Sequence, residues 1–222
     1  METSNPFRLK VSGEYACFTR PEMKVERVSY DVMTPSAARG ILEAILWKPA
    51  IAWRILQIDV LKPIRWFNIR RNEVASIVSV KNAQAAMKAG RGRIGLFVDV
   101  GKERQQRAAL VLKDVAYLIH AVFEITDKAG PEDNVTKFEQ MFLRRAARGQ
   151  CFHRPYLGCR EFDAQFELIK KDDDGPSPIQ ENRELGWMFF DWDYTKKPPA
   201  PSFFKAKLKQ GVLDLASVEV RS

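Results

Sequence analysis

Histidine and cysteine are scarce in this chain, and long apolar runs are missing from it. Only two histidines, His120 and His153, occur among 222 residues, which restricts the side chains able to move protons near neutral pH. Cys17, Cys151 and Cys159 are odd in number and lack the paired CxxC spacing of a zinc site. They read as reduced thiols of a cytoplasmic protein, with no metal expected. No run of about 18 uncharged apolar residues is present, so no membrane partner is expected. The short polar start, Met1 to Arg8, is not expected to be a signal peptide. Walker A, GxSxG and HExxH motifs are absent, and no carboxylate cluster suggests a two-metal nuclease, so no cofactor is expected.

What is present is a core and a concentrated positive charge. With 45% hydrophobic residues and 14 Phe, the chain can bury a sizeable interior. Its net charge is +8, and one segment holds all of that excess. Between Lys62 and Arg107 there are 11 basic residues against Glu73, Asp99 and Glu103, while the remainder carries 25 of each sign. A solvated loop usually mixes its charges, so this concentration points to a polyanion, with a lysine- and arginine-rich surface insertion as the plainer alternative.

Apolar periodicity gives the order of elements. Phe7, Leu9, Val11, Tyr15 and Cys17 alternate as a first strand, followed by a charged loop from Thr19 to Met33 that contains Arg20, Lys24, Arg27 and Tyr30. Thr34-Pro35 opens a helix carrying Ala38, Ile41, Leu42 and Ile45 inward and stopping at Pro49. Ile55 to Ile69 reads as one long second strand, and Lys81 to Gly95 has little apolar periodicity. A third strand is expected from Ala109 to Ile125, with Val115, Tyr117, Ile119, Ala121 and Phe123 on one face. Asp133 or Asn134 opens a second helix with Val135, Phe138, Phe142 and Ala146 at helical spacing, and a fourth strand follows near Arg160 to Ile169.

That order predicts an α+β chain: a ferredoxin-like, RRM-like βαββαβ domain over 1–169 with a basic hairpin-type insertion at 62–107. Lys170 to Glu184 reads as a linker, with strands Leu185–Tyr194 and Ser202–Leu213 forming a small C-terminal antiparallel β unit in 170–222.

An ordinary RRM stacks bases on aromatics of its third strand. Here that strand reads Ala116-Tyr117-Leu118-Ile119-His120-Ala121-Val122-Phe123, which does not fit, so RNA contacts are expected from loops, the insertion and helix ends. His120 reads as structural or solvated. His153, between a turn and Arg154, reads equally as an RNA contact or a plain surface residue. Lys137, Arg144 and Arg148 share a helix face that either tracks phosphates or simply meets solvent, and neighbouring Arg145, Arg154 and Arg160 favour RNA.

Several blocks resemble a known family. Gly13-Glu14-Tyr15-Ala16-Cys17-Phe18-Thr19-Arg20-Pro21-Glu22, Ser36-Ala37-Ala38-Arg39-Gly40-Ile41-Leu42-Glu43, Trp47-Lys48-Pro49 and Asn68-Ile69-Arg70-Arg71-Asn72-Glu73-Val74 are similar to the CRISPR-associated Cas-five family, subtype d, of type I-C systems. So are Gln150-Cys151-Phe152-His153, Leu157-Gly158-Cys159-Arg160-Glu161-Phe162, Leu185-Gly186 and Phe203-Phe204-Lys205-Ala206. The resemblance implies a protein that cuts CRISPR repeat RNA without metal and keeps the 5′ handle of the guide crRNA. It implies partners too: the backbone and large subunits of a Cascade surveillance complex, and target DNA through that complex. Arg20, Lys24, Arg27, Arg39, Lys48, Arg70, Arg71, Asn72, Arg104 and Arg107 join the helix arginines as expected RNA contacts.

Two catalytic positions depart from the family. A tyrosine or histidine expected before Trp-Lys-Pro is Leu46, and a Lys-His pair at the second helix is Lys137-Phe138. Neither leucine nor phenylalanine can exchange protons. Leu46 falls at the same turn as Arg39 and Glu43, where a polar residue is expected to be tolerated. Phe138 lies on the apolar stripe. Three accounts stay open: cleavage lost with binding kept, a substituted site using Lys137 with His153 and Tyr30, or a sequence altered at these positions. We favour the first.

Overall fold

The computed structural model describes residues 2–23, 25–74, 76–92 and 103–222. They divide into two compact units, one of Met1–Phe67 with Leu110–Ser222 and one of Asn68–Ala109.

The first unit is built on a largely antiparallel sheet. β1 (Phe7–Ala16) buries Phe7, Leu9 and Val11 by simple alternation, then leads through a loop to α1 (Pro35–Ile45). Thr34 caps that helix, its Oγ1 accepting from Ala37 N at 3.3 Å, with Pro35 at the first helical position. The helix ends at Ile45, with Leu46 as its extended C-cap three residues before Pro49. β2 (Ile51–Val60) follows, and the expected long second strand is in fact two. Pro63 supplies no N–H for a ladder, so the chain turns there, and β3 (Trp66–Val74) starts anew.

β4 (Arg104–Ile125) is longer than expected at its start. Val115, Tyr117, Ile119, Ala121 and Phe123 are all buried on one face. α3 (Val135–Ala147) is capped by Asn134, whose Oδ1 accepts from Lys137 N at 2.9 Å, and it buries Phe138, Phe142 and Ala146. β5 (Gln165–Ile169) begins five residues later than Arg160, because a turn closed by Phe162 N donating to Cys159 O occupies the interval. β6 (Arg183–Asp193) and β7 (Ala200–Leu208) form a hairpin that β9 (Val220–Arg221) joins. The single strand expected at Ser202–Leu213 is broken by a Lys209–Gly211 turn, after which β8 (Val212–Asp214) pairs with β2.

The main sheet has the order β5-β1-β4-β2-β8, with antiparallel registers throughout that path, and β3 pairs with β4. Phe7, Trp53, Phe123 and Phe142 make a ring cluster with centroid separations from 4.8 to 5.9 Å. Edge-to-face contacts of this kind add about 0.5–1.5 kcal/mol each beyond area burial. On the reverse face His120 Nε2 lies 2.8 Å from the buried Asp59 carboxylate, which also accepts from Gln57, so this histidine is a structural partner.

Residues 170–222, read from sequence as linker and β unit, fall within this first unit. The Arg8 guanidinium donates to the carbonyls of Lys170, Asp173 and Asp174, and Ile179 N donates to Val60 O. The stretch after β5 is thus tied down along its length.

In the second unit, α2 (Val80–Ala89) sits between β3 and β4 in sequence, capped by Ser79 and closed by Gly90 at φ 60°. None of its residues is buried, which explains why apolar periodicity missed it. Ala83, Ala85, Ala86, Met87 and Lys88 favour a helix by propensity, and the caps at Ser79 and Gly90 add to it.

Candidate nucleic-acid interface

The ends of α1 and α3 and the loop 149–154 converge on one face of the first unit. Arg145 Nη1 donates to Ile45 O at 2.9 Å, and Phe152 N donates to Ala44 O at 2.7 Å. These bonds satisfy carbonyls that a helix C-terminus otherwise leaves open. They also leave two aromatics uncovered: Trp47 is 61% and Phe152 87% exposed. Lys48, Arg144, Arg148, Arg154 and Arg160 are exposed as well, with Arg154 paired at 3.1 Å to an equally solvated Asp163. Cations beside uncovered rings can hold phosphates while bases stack.

Lys137 stands at the start of α3, where its Nζ lies 2.9 Å from Asp133 Oδ1. The hydrogen bond from Lys137, then that from Gly130 N, holds the Asp133 carboxyl below the ordinary range, with the charges of Lys137 and Lys48 adding to the effect. Lys137 is therefore a half-exposed cation suited to stabilising phosphate charge. His153 is exposed, with Nδ1 3.2 Å from Arg154 O and its ring 6.4 Å from that of Tyr156.

The two departing positions are both interior. Phe138 packs edge-on against Phe123 at 6.3 Å and is 2% exposed. Leu46 is fully buried, and its carbonyl accepts from Trp53 Nε1 at 2.9 Å. The expectation that a polar side chain would be tolerated at 46 is corrected: α1 ends at Ile45, so the helical-wheel placement beside Arg39 and Glu43 does not apply.

The catalytic candidate Tyr30 and the expected RNA contacts Arg20, Arg27 and Arg39 bond to other residues of the chain. Tyr30 is buried, and its hydroxyl accepts from Phe189 N at 3.2 Å, so it is not placed to reach substrate. Burial pushes the phenol up, against the hydrogen bond from Phe189. Arg20 lies 4.6 Å from the Tyr30 ring centroid and pairs with Asp31 at 3.2 Å. Arg27 pairs with Glu161 at 3.2 Å. Arg39 binds both Asp191 oxygens, at 2.7 and 2.9 Å, and Glu43 at 2.6 Å. Burial opposes its charge, but the hydrogen bonds and charge of Asp191, with Glu43, hold the guanidinium above its ordinary range. Arg39 thus joins α1 to β6. Lys24 lies outside the described residues.

The second unit presents its own cationic surface. Along β3, Asn68, Arg70 and Asn72 are exposed, while Ile69, Arg71 and Glu73 on the alternate face are partly covered. Arg104 is exposed, whereas Arg107 is held by Glu73 and Gln105, each at 2.9 Å. Among the described residues, no group of three or more His, Cys, Asp or Glu is placed to hold a metal ion, and no helix is long and apolar enough to cross a membrane.

Trp47 and Phe152 are the functional candidates that sequence reasoning passed over. Their signal was an aromatic just past a helix end among polar or cationic neighbours, where no periodicity places it in a core.

The family described as CRISPR-associated protein (Cas_Cas5) matches residues 7–215. A protein of Mannheimia succiniciproducens named CRISPR pre-crRNA endoribonuclease Cas5d is 54% identical over 218 residues, spanning 96% of this chain and 95% of its own length. A protein of the same name from Thermus thermophilus is 40% identical over 227 residues, spanning 94% and 90%. Among solved structures, one described as a CRISPR-associated protein superposes with a TM-score of 0.71 at 22% identity, covering 100% and 99% of the two chains. A chain of a CRISPR RNA-guided surveillance complex gives a TM-score of 0.50 at 12% identity, covering 98% and 89%.

Proposed function

We propose that this chain, which belongs to the Cas5d family of CRISPR-associated proteins, is the guide-holding subunit of a type I-C Cascade complex, gripping the 5′ handle of the crRNA. The observation that carries the reading is the exposed cation and aromatic set Trp47, Lys48, Arg144, Arg148 and Phe152, on a chain 54% identical to a protein named for acting on precursor crRNA. The exposed Arg70, Asn72 and Arg104 of the second unit supply further phosphate and base contacts. Cascade's backbone and large subunits are the protein partners, and target DNA meets the chain only through that assembly.

The fold we infer is ferredoxin-like. Its support is the order β5-β1-β4-β2, with α1 between β1 and β2 in sequence and α3 between β4 and β5. That is a βαββαβ arrangement with the first and third of its strands central and antiparallel.

On this reading the chain holds RNA more than it cuts it. A base, an acid and a cation are needed for metal-free cleavage at a 2′-hydroxyl. Lys137 can supply the cation, but Leu46 and Phe138 are buried apolar groups. A second reading, an active metal-independent endoribonuclease leaving a 2′,3′-cyclic phosphate, is favoured by the names of both curated relatives. It would draw its proton transfer from the exposed His153. Incubation of the purified chain with its CRISPR repeat RNA in excess EDTA separates the two. Bound but intact RNA is the expected result. A single defined cut that His153→Ala abolishes would establish the second reading.

A further inference from the structure

A cavity of about 240 Å³ opens beside α1, lined by Phe18, Thr19, Ser36, Gly40, Tyr156 and Phe189 among others. Three of these are aromatic, and three, Thr19, Ser36 and Tyr156, carry hydroxyls. The group belongs to neither the α1–α3 face nor the second unit.

Gly40 is the informative member. A glycine inside a helix costs about 1 kcal/mol relative to alanine, so a fold keeps one where backbone geometry or crowding demands it. Gly158, in the loop beside the same cavity, shows both demands. Its φ is +82°, and a Cβ there would meet Cys17 O at 2.1 Å. Gly40 shows neither: it is exposed within α1, has no positive φ, and a Cβ would find nothing within 4 Å. Nothing among the described residues requires glycine at this position. Gly40 lines the cavity, and the space that a Cβ would enter there is open.

We infer that this cavity receives one unstacked nucleobase of the bound RNA, with Gly40 keeping its mouth open. Aromatic side chains offer stacking to any base, and hydroxyls can donate to or accept from its edge, the combination by which single-stranded RNA is read. The exposed Arg154 and Arg160 each lie two residues from a lining residue, Tyr156 or Gly158, and supply cations for the flanking phosphates. The inference rests on the chain being an RNA-holding subunit and adds a base-reading position to it.

The test measures binding of the full chain to its CRISPR repeat RNA, and to the same RNA carrying a single abasic nucleotide at each position in turn. Gly40→Leu should melt at or above the wild-type temperature, yet bind intact RNA roughly tenfold or more weakly, as expected when one stacked base is displaced. Gly40→Ala should show a smaller weakening of the same sign. One abasic RNA should bind the wild type weakly and Gly40→Leu no more weakly still, since the base and the open cavity are one interaction. Wild-type affinity in both variants would overturn the assignment and leave the parent reading standing. A weakening that no abasic position masks would also overturn it, pointing to the RNA backbone or a protein neighbour instead. Failure of the wild type to prefer its repeat RNA would remove the parent reading and this assignment together.

Discussion

Leu46 and Phe138 govern what the α1–α3 face can do chemically, because both positions point into the core. Phe138 touches Phe123 and is 2% exposed, so Phe138→His places a polar ring where no partner is shown for it. We expect Phe138→His to destabilise the chain by roughly 2–4 kcal/mol, read as a lower urea midpoint with an unchanged m-value. A neutral effect would mean that the site is open enough for a catalytic histidine. The apolar stripe of α3 was legible in the sequence, since a 3.6-residue period records which face is buried. The burial of Leu46 was not, because it depends on where α1 stops. Nor was the fate of Arg39 legible: its partner Asp191 is 152 residues away, and no local pattern announces an ion pair of that span.

At the scale of elements, the two kinds of arginine should separate under mutation. Arg70 and Arg104 are exposed, whereas Arg39 clasps α1 to β6. Neutralising Arg70 or Arg104 should weaken RNA binding and lower the slope of log affinity against log salt by about 0.7 for each phosphate no longer neutralised, without shifting the melting temperature. Arg39→Ala should do the reverse. It should cost roughly 1–3 kcal/mol of stability, in keeping with a side chain 26% exposed, and leave the salt slope unchanged. Isothermal binding across a salt series, paired with thermal melts, reads both quantities. The order of most elements was visible from periodicity and caps. The misplaced boundaries fall where a proline or a short turn interrupts a run, as Pro63 splits one expected strand into β2 and β3 and the Lys209–Gly211 turn splits another into β7 and β8. α2 escaped because it buries nothing for a pattern to record.

For the whole molecule, the uneven charge is decisive. The +8 excess lies in 62–107, and the described part of that segment displays Arg70 and Arg104 to solvent. The first unit, close to neutral by composition, offers a separate set of cations beside Trp47 and Phe152. Composition could place the first of these surfaces but not the second, since the second is assembled from helix ends and a loop far apart in sequence. Binding at fixed salt tests the central claim most directly, comparing the repeat-derived 5′ handle RNA with an unrelated RNA of equal length. A guide-holding subunit should bind the handle clearly more tightly, and in a salt-sensitive way. Equal affinity for the two RNAs would contradict that role.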